Sequence, residues 1–439
     1  MTYEEALEFI SKQGRFAMKL GTERTRALLD ELGAPDRGLP GALIAGTNGK
    51  GSTGVCLTAI LLAAGRHVGF MPKPHLISYT ERIELDGGAI SEADFAESLD
   101  KLRPMFDAVG RDLGPPTEFE MLTVLALAYL APRIDVLVCE VGLGGRLDAT
   151  NALDLGIAAI TNVDLDHQKY LGNTIGEIAR EKAAIIKQGN RVVTGCEGEA
   201  LAIVEARAEE MSAQLWRLGR EVVVESRSLG WDGHLLDVRG PGFEHRDLRL
   251  PLVGDYQPAN AAVAVALAHL LGVGDESAIR EGLGHARWPG RLQVIAETPR
   301  VILDGGHNPA AMAKSGASLR RLIGSARLVA VFAMLSERDP VKLLEVLRSL
   351  TPEAVVFTEA ASAHGHVIAA EQLASIYGGG AEVARPAMAA VARARELAGP
   401  DGNVLVCGSL YLVGEVLALT DRPAGSAGRG TRSPRSSGA

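Results

Sequence analysis

Cysteine is scarce in this chain: four in 439 residues, at Cys56, Cys139, Cys196 and Cys407, far apart and with no CxxC pair. That spacing excludes a disulfide scaffold and a zinc–thiolate centre and fits reduced thiols. Aromatic residues reach only 4%, and basic residues do not gather in a stripe. With a net charge of −9, a nucleic-acid partner is not expected. Long apolar runs are missing too: the longest, near residues 259–273, holds His269 and is too short to span a bilayer. The start, MTYEEALEFI, is acidic where a signal peptide would be basic. These absences predict a cytoplasmic protein without a membrane partner. Low complexity is confined to the stretch from about 421, DRPAGSAGRGTRSPRSSGA, which reads as a disordered, solvated tail.

What is present is apolar sequence, 47%, in a chain long enough for two or three domains. Residues 43–53, LIAGTNGKGST, read as a buried strand entering a glycine-rich loop. Gly46, Gly49 and Gly51 let backbone N–H groups turn inward, Lys50 supplies a point charge for phosphates, and Ser52 and Thr53 can reach a magnesium ion. Apolar spacing from Val55 to Leu62 predicts a helix from Ser52, its positive end toward the anion. The pattern is a variant, because Gly51 stands between Lys50 and the hydroxyl that would normally follow it. A ligand-free glycine turn is the plain alternative.

Helices broken near Gly14 and Gly21 are expected at the start, with further strands at 134–140, 156–163 and 191–195 alternating with helices at 118–130 and 174–186. The first half is therefore predicted to be doubly wound and mainly parallel, with ligands at the carboxyl ends of its strands. Residues 215–250 predict a small antiparallel excursion and 258–271 a helix. After Trp288-Pro289-Gly290-Arg291 a new alternation begins, with strands at 301–303, 328–332, 354–358 and 404–407, placing a domain boundary near 290.

Chemistry-bearing residues fall at predicted strand ends. Glu140 closes IDVLVCE, where a phosphate-loop enzyme places a metal carboxylate; a solvent-facing acid is the alternative. His167 follows a strand beside Asp164 and Asp166. Lys182 on GEIAREKAAII reads, from the sequence alone, as the partner of a nearby acid such as Glu181. PKPHLISYTERI, with His75, Tyr79, Glu81 and Arg82, is a lid or a surface loop too irregular for a helix or strand. In LDGGHNPAA, Asp304, His307 and Asn308 precede a helix expected from Pro309, and part of that pattern is a helix cap. Half-sites on two domains would form a cleft that excludes water.

The segments GTNGKGS, PHLISYTERI, EVGLGGRLDATN, DHQKYLG, REKAAI, WPGRLQ, DGGHNP and CGSLYLVGE, in this order, resemble the folylpolyglutamate synthase and dihydrofolate synthase family of the Mur ligase superfamily over about residues 20–418. The resemblance implies a two-domain α/β fold: an ATP-binding P-loop domain at 1–289 with a mainly parallel sheet and a small antiparallel part, a smaller C-terminal α/β domain at 290–420, and the tail at 421–439. It implies amide formation between a pteroate or folate carboxylate and the amine of L-glutamate, through an acyl phosphate made from ATP. Its cofactors would be ATP and two Mg²⁺ ions, with K⁺ as a further ion and Lys182 as a carbamylated lysine. The molecule would act as a monomer on small-molecule substrates.

By this resemblance Gly46, Thr47, Asn48, Gly49, Lys50, Gly51, Ser52, Asn260, Arg291 and Asp304 hold the nucleotide, and Ser52, Glu140, His167 and Lys182 serve the metals. Lys50, His167, Lys182, His307 and Ser409 are the catalytic set. Arg82, Thr117, Phe119 and Asp148 resemble substrate-binding positions of bifunctional bacterial members, with Asp148 on the pterin's amino edge and Phe119 stacked on its ring. Departures are Lys73, where Ser is usual before Pro-His-Leu, Gly306 for Ala in DGAHNP, and Gln168 after His167. Two competitors stand beside this reading. Another Mur-type ligase would carry a long domain before the loop, where only 45 residues are found, and an ATP-hydrolysing switch would not need His307, Ser409 and a second domain.

Overall fold

The computed structural model describes residues 1–14, 21–363 and 365–420; the tail expected from 421 lies outside these, as do residues 15–20. The chain divides into two compact units. One comprises Met1–Leu292 with Asn308–Gly324, and the other Gln293–His307 with the described residues from Ser325 onward.

The first unit is built on strands β1 (Gly41–Ala45), β2 (Val68–Met71), β3 (Glu84–Leu85), β4 (Gly88–Ala89), β5 (Val136–Glu140), β6 (Gly156–Ile160), β7 (Arg191–Thr194) and β8 (Gln214–Arg217). Their order is β4-β3-β2-β5-β1-β6-β7-β8. All pairs are parallel except β2 with β3 and β3 with β4. β1 is buried along its whole length, as a central parallel strand covered on both faces must be. Leu43 and Ala45 face one core, with the helix Glu118–Leu130, while Ala42 and Ile44 face another, with Lys50–Ala63 and Gln257–Leu270. This is the period-two alternation of a strand between two helical layers.

Register decides where the chemistry sits. Ile44 pairs with Glu140 and Ala45 with Ile160, so the carboxyl ends of β1, β5 and β6 lie side by side. The antiparallel excursion is a three-stranded sheet, β9 (Val223–Ser228), β10 (His234–Gly240) and β11 (Phe243–Leu250), in the order β11-β10-β9.

Three elements depart from expectation. The glycine-loop helix begins at Lys50, not Ser52. Tyr79–Arg82 is an ordered 3-10 turn closed by a Ser78/Glu81 capping box, where an irregular loop was expected. Glu92–Leu113, a 22-residue helix capped by Ser91, was not anticipated, although Ser91 followed by acidic residues is a start signal.

The second unit carries β12 (Gln293–Glu297), β13 (Arg300–Leu303), β14 (Leu328–Phe332), β15 (Ala354–Phe357), β16 (Ala381–Val383) and β17 (Asn403–Cys407). Their order is β12-β13-β17-β14-β15-β16, parallel but for β12 against β13. No helix among the described residues is long and apolar enough to cross a membrane.

Candidate functional site

The glycine loop is clamped from β6. Asn162 O accepts from Thr47 N at 2.9 Å, Asn162 Oδ1 accepts from Asn48 N at 3.0 Å, and Asn48 O takes Thr161 Oγ1–H at 2.6 Å and Asn162 Nδ2–H at 2.8 Å. Gly49 caps the helix in the left-handed region, φ 86°, and no side chain caps this N-terminus. Its N–H groups and dipole are the elements of an anion site. The glycine at 51 has a steric cause: a Cβ there would lie 2.5 Å from the Trp288 ring.

Three charged groups converge on the loop. Lys50 Nζ donates to Gly46 O at 3.0 Å and Thr47 O at 3.3 Å, and lies 3.8 Å from Glu140 Oε1. Lys182 Nζ donates to the same Gly46 O at 3.1 Å. Burial, then the neighbouring Lys50, pushes the Lys182 amine down to about 7. Burial raises the Glu140 carboxyl, opposed by Lys50, the Lys73 N–H and charge, and Arg291. Lys182, which its own segment suggested as the partner of an acid such as Glu181, turns inward instead, and Glu181 binds Arg146 at 2.9 Å.

His167 adopts a left-handed backbone, φ 48°, and its Nε2 lies 3.9 Å from Asp166 Oδ2. Asp166 Oδ2 accepts from Asn308 Nδ2 at 2.9 Å, and that amide also donates to Asn48 Oδ1 at 3.0 Å. Asn308, read from sequence as part of the second half-site and as a cap, belongs to the first unit and caps its helix through Ala311 N. Its bridge to the loop was missed, since it joins positions 260 apart.

Does this set suit a magnesium nucleotide? Ser52 and Glu140 are buried hard-oxygen donors at the loop, and the Asn48 Nδ2–H is buried with no hydrogen-bond partner among the described residues. Magnesium is commonly held by one or two carboxylates together with phosphate oxygens, so the donors present fit that group. No three His, Cys, Asp or Glu side chains among the described residues gather into a metal cage. Asn260 lies close to Gly49, where a Cβ would come within 2.3 Å of its Oδ1; its backbone carbonyl accepts Thr53 Oγ1–H at 3.3 Å, and its Nδ2 donates to Gln257 Oε1 at 3.0 Å. Arg291 Nη1 donates to Gly290 O at 3.1 Å.

The residues assigned to substrate are engaged locally. Thr117 forms a capping box with Glu120, which pairs with buried Arg24 at 3.0 Å. Asp148 accepts from Leu143 N at 2.8 Å, Thr150 N at 3.0 Å and Thr150 Oγ1 at 2.5 Å. Arg82 donates to His75 Nδ1 at 2.8 Å, and burial with the Arg82 charge pushes that imidazole down to about 3. Phe119 carries Lys73 Nζ at 3.4 Å from its ring centroid.

In the second unit Asp304, at the end of β13, accepts from Gly306 N at 3.0 Å, and His307 Nδ1 lies 3.0 Å from Gly305 O. Ser409 is buried after β17, and its hydroxyl has no hydrogen-bond partner among the described residues.

Known proteins share this plan. Residues 44–268 match the Mur ligase middle domain and 290–410 the Mur ligase glutamate ligase domain. The dihydrofolate synthase/folylpolyglutamate synthase of Escherichia coli is 35% identical over 421 residues, 94% of either chain. The chain belongs to the folylpolyglutamate synthase/dihydrofolate synthase family of Mur ligases. A solved folylpolyglutamate synthase of Mycobacterium tuberculosis, complexed with ADP and AMPPCP, superposes with a TM-score of 0.89 at 31% identity, covering 96% of this chain and 98% of that one. A probable bifunctional folylpolyglutamate synthase/dihydropteroate synthase of Haloferax volcanii is 35% identical over 94% of this chain, which spans only 50% of that longer protein. Membership in this ligase family accounts for two α/β units, the first with a glycine loop at the end of its central strand.

Proposed function

We propose that the chain is an ATP-dependent ligase that joins the amine of L-glutamate to a carboxylate of dihydropteroate and of tetrahydrofolyl-glutamates. The observation that carries this reading is the array on the glycine loop, with Lys50 and Lys182 donating to one carbonyl beside Glu140. A substrate carboxylate oxygen attacks the terminal phosphorus of ATP and ADP leaves; the glutamate nitrogen then attacks the acyl carbon, loses a proton, and phosphate departs. Lys50 would leave its loop carbonyls for the phosphates, and the uncapped helix N-terminus adds preorganised N–H groups where charge moves. Ser52 and Glu140 would hold magnesium, which when bound offsets phosphate charge. Orientation of the two reactants supplies much of the remaining rate.

The other roles are proposed on the same footing. Asn260, Arg291 and Asp304 serve the nucleotide, His167 the metals, His307 and Ser409 the glutamate or acyl-phosphate region, and Arg82, Thr117, Phe119 and Asp148 the pteroyl part. Lys182 is proposed as a carbamate, supported by an amine held near about 7, where the neutral form that reacts with CO₂ is well populated. We place the enzyme in the cytoplasm as a monomer, which sedimentation at micromolar concentration tests.

One experiment tests the central claim: ligation of labelled glutamate to dihydropteroate and to tetrahydrofolate side by side, with ADP release followed with and without K⁺. Both products are expected. Label on neither acceptor refutes the ligase reading, and label on tetrahydrofolate alone reduces it to polyglutamate synthesis.

A further inference from the structure

Lys73 follows β2 and the intervening Pro72. Its backbone N–H donates to Glu140 Oε2 at 3.0 Å, which ties the residue to the end of β5. The side chain runs the other way and sets Nζ 3.4 Å from the centroid of Phe119. The residue as a whole is only partly buried, yet its Nζ is sealed from solvent and has no hydrogen-bond partner among the described residues. Burial pushes this amine down, while Asp148, Cys139 and Glu140 favour its charge and Arg82 opposes it.

Phe119 and Asp148 belong to the same wall. A Cβ on Gly142 would lie 2.7 Å from Phe119 Cζ and 3.1 Å from Asp148 Oδ2, so both side chains close on that glycine. An aromatic heterocycle stacked on Phe119 would place its atoms roughly 3.5–4.0 Å above the ring. The Nζ of Lys73 occupies that layer on the face it covers. A cation over a ring is held electrostatically, without the directional hydrogen bonds that lock an amine in place.

We infer that Lys73 is a specificity-determining residue of this chain: its Nζ covers a stacking face of Phe119, and a flat heterocyclic substrate binds there by displacing it. The inference rests on the proposed pteroyl substrate and adds a competitor built into the pocket. It makes Lys73 a brake on heterocycle binding.

The test uses the full chain. Lys73→Ser should lower KM for dihydropteroate roughly tenfold while kcat changes less than threefold, the size expected from losing a desolvated cation–ring contact. Lys73→Met, which keeps the length and removes the charge, should lower it less. In protein carrying ¹³C-labelled lysine, one ε-methylene signal should be ring-shifted upfield, absent in Lys73→Ser, unshifted in Phe119→Leu, and moved by dihydropteroate. An unchanged or raised KM in both Lys73 variants overturns the inference, as does a lysine signal that ignores bound dihydropteroate. If dihydropteroate binds neither wild type nor Lys73→Ser while the ring-shifted signal is present, the pteroyl reading itself falls; equal binding to both overturns the inference alone.

Discussion

Lys182 and Lys73 are two inward-turned lysines of the first unit, and they are held on opposite terms. Lys182 donates to a fixed carbonyl, Gly46 O, at the start of the glycine loop. Lys73 has a ring beneath its Nζ and no hydrogen-bond acceptor among the described residues. Burial lowers both amines; the leading charge effect at Lys182 is Lys50, which reinforces the shift, and at Lys73 it is Asp148, which opposes it. An amine locked to one atom is positioned for chemistry at that atom. One resting on a ring face can move when something else takes the ring.

The largest test of the locked side is its neighbour. Lys50→Ala should cut glutamate-dependent phosphate release by about a thousandfold with an unchanged circular dichroism spectrum, as loss of a charge at a transferring phosphoryl group implies. Turnover near wild type would remove the phosphate-loop assignment. Lys182→Ala should follow with about a hundredfold loss, recovered in part by bicarbonate or a short carboxylate if the side chain works as a carbamate. No recovery would leave it a plain lysine.

Before CO₂ adds to it, Lys182 also carries a pH signature. Its folded value, about 7, lies below the ordinary lysine value of 10.5, so between these the unfolded chain binds more protons. Stability from this group therefore rises with pH across that window, and its cost is complete below about 7. Urea midpoints of wild type and Lys182→Met, compared at pH 7 and 9, should show this rise only in wild type; parallel curves would contradict the buried, unmodified amine.

On the displaceable side, Asp148→Ala should reduce kcat/KM for dihydropteroate more than for tetrahydrofolate. It should also cost about 1 kcal/mol of stability, because Asp148 caps the turn at Ala149–Ala152. Equal losses with the two acceptors would make Asp148 a turn residue only. The smallest effect is expected for Thr117→Ala. Its hydroxyl is held in a capping box, so a loss of about 1 kcal/mol in thermal unfolding and a rise in KM of only about twofold are expected. A large rise in KM would restore it to the substrate wall.

What could be read from sequence was what is local. Residues 43–53 carry strand, turn and helix signals in one stretch, and Glu140 stands at the end of a contiguous apolar run. Even so, the helix began two residues early, since Gly49 takes the left-handed capping position and lets Lys50 enter the first turn. Asn308 looked like a cap and is one, but nothing near it signals the reach to Asn48 and Asp166. At Thr117 the local signal is complete: T-E-F-E is a capping box in plain view, and the substrate role comes from the resemblance alone.

By itself, the sequence determined the alternation of strands and helices, the glycine loop with its lysine, and the family, because apolar periodicity and turn chemistry act between near neighbours. Tertiary structure alone decided that Lys50 and Lys182 share Gly46 O, that Trp288 excludes any side chain at 51, and that Lys73 covers Phe119. Those contacts depend on strand register and helix packing, which bring together residues whose separation along the chain carries no local signal.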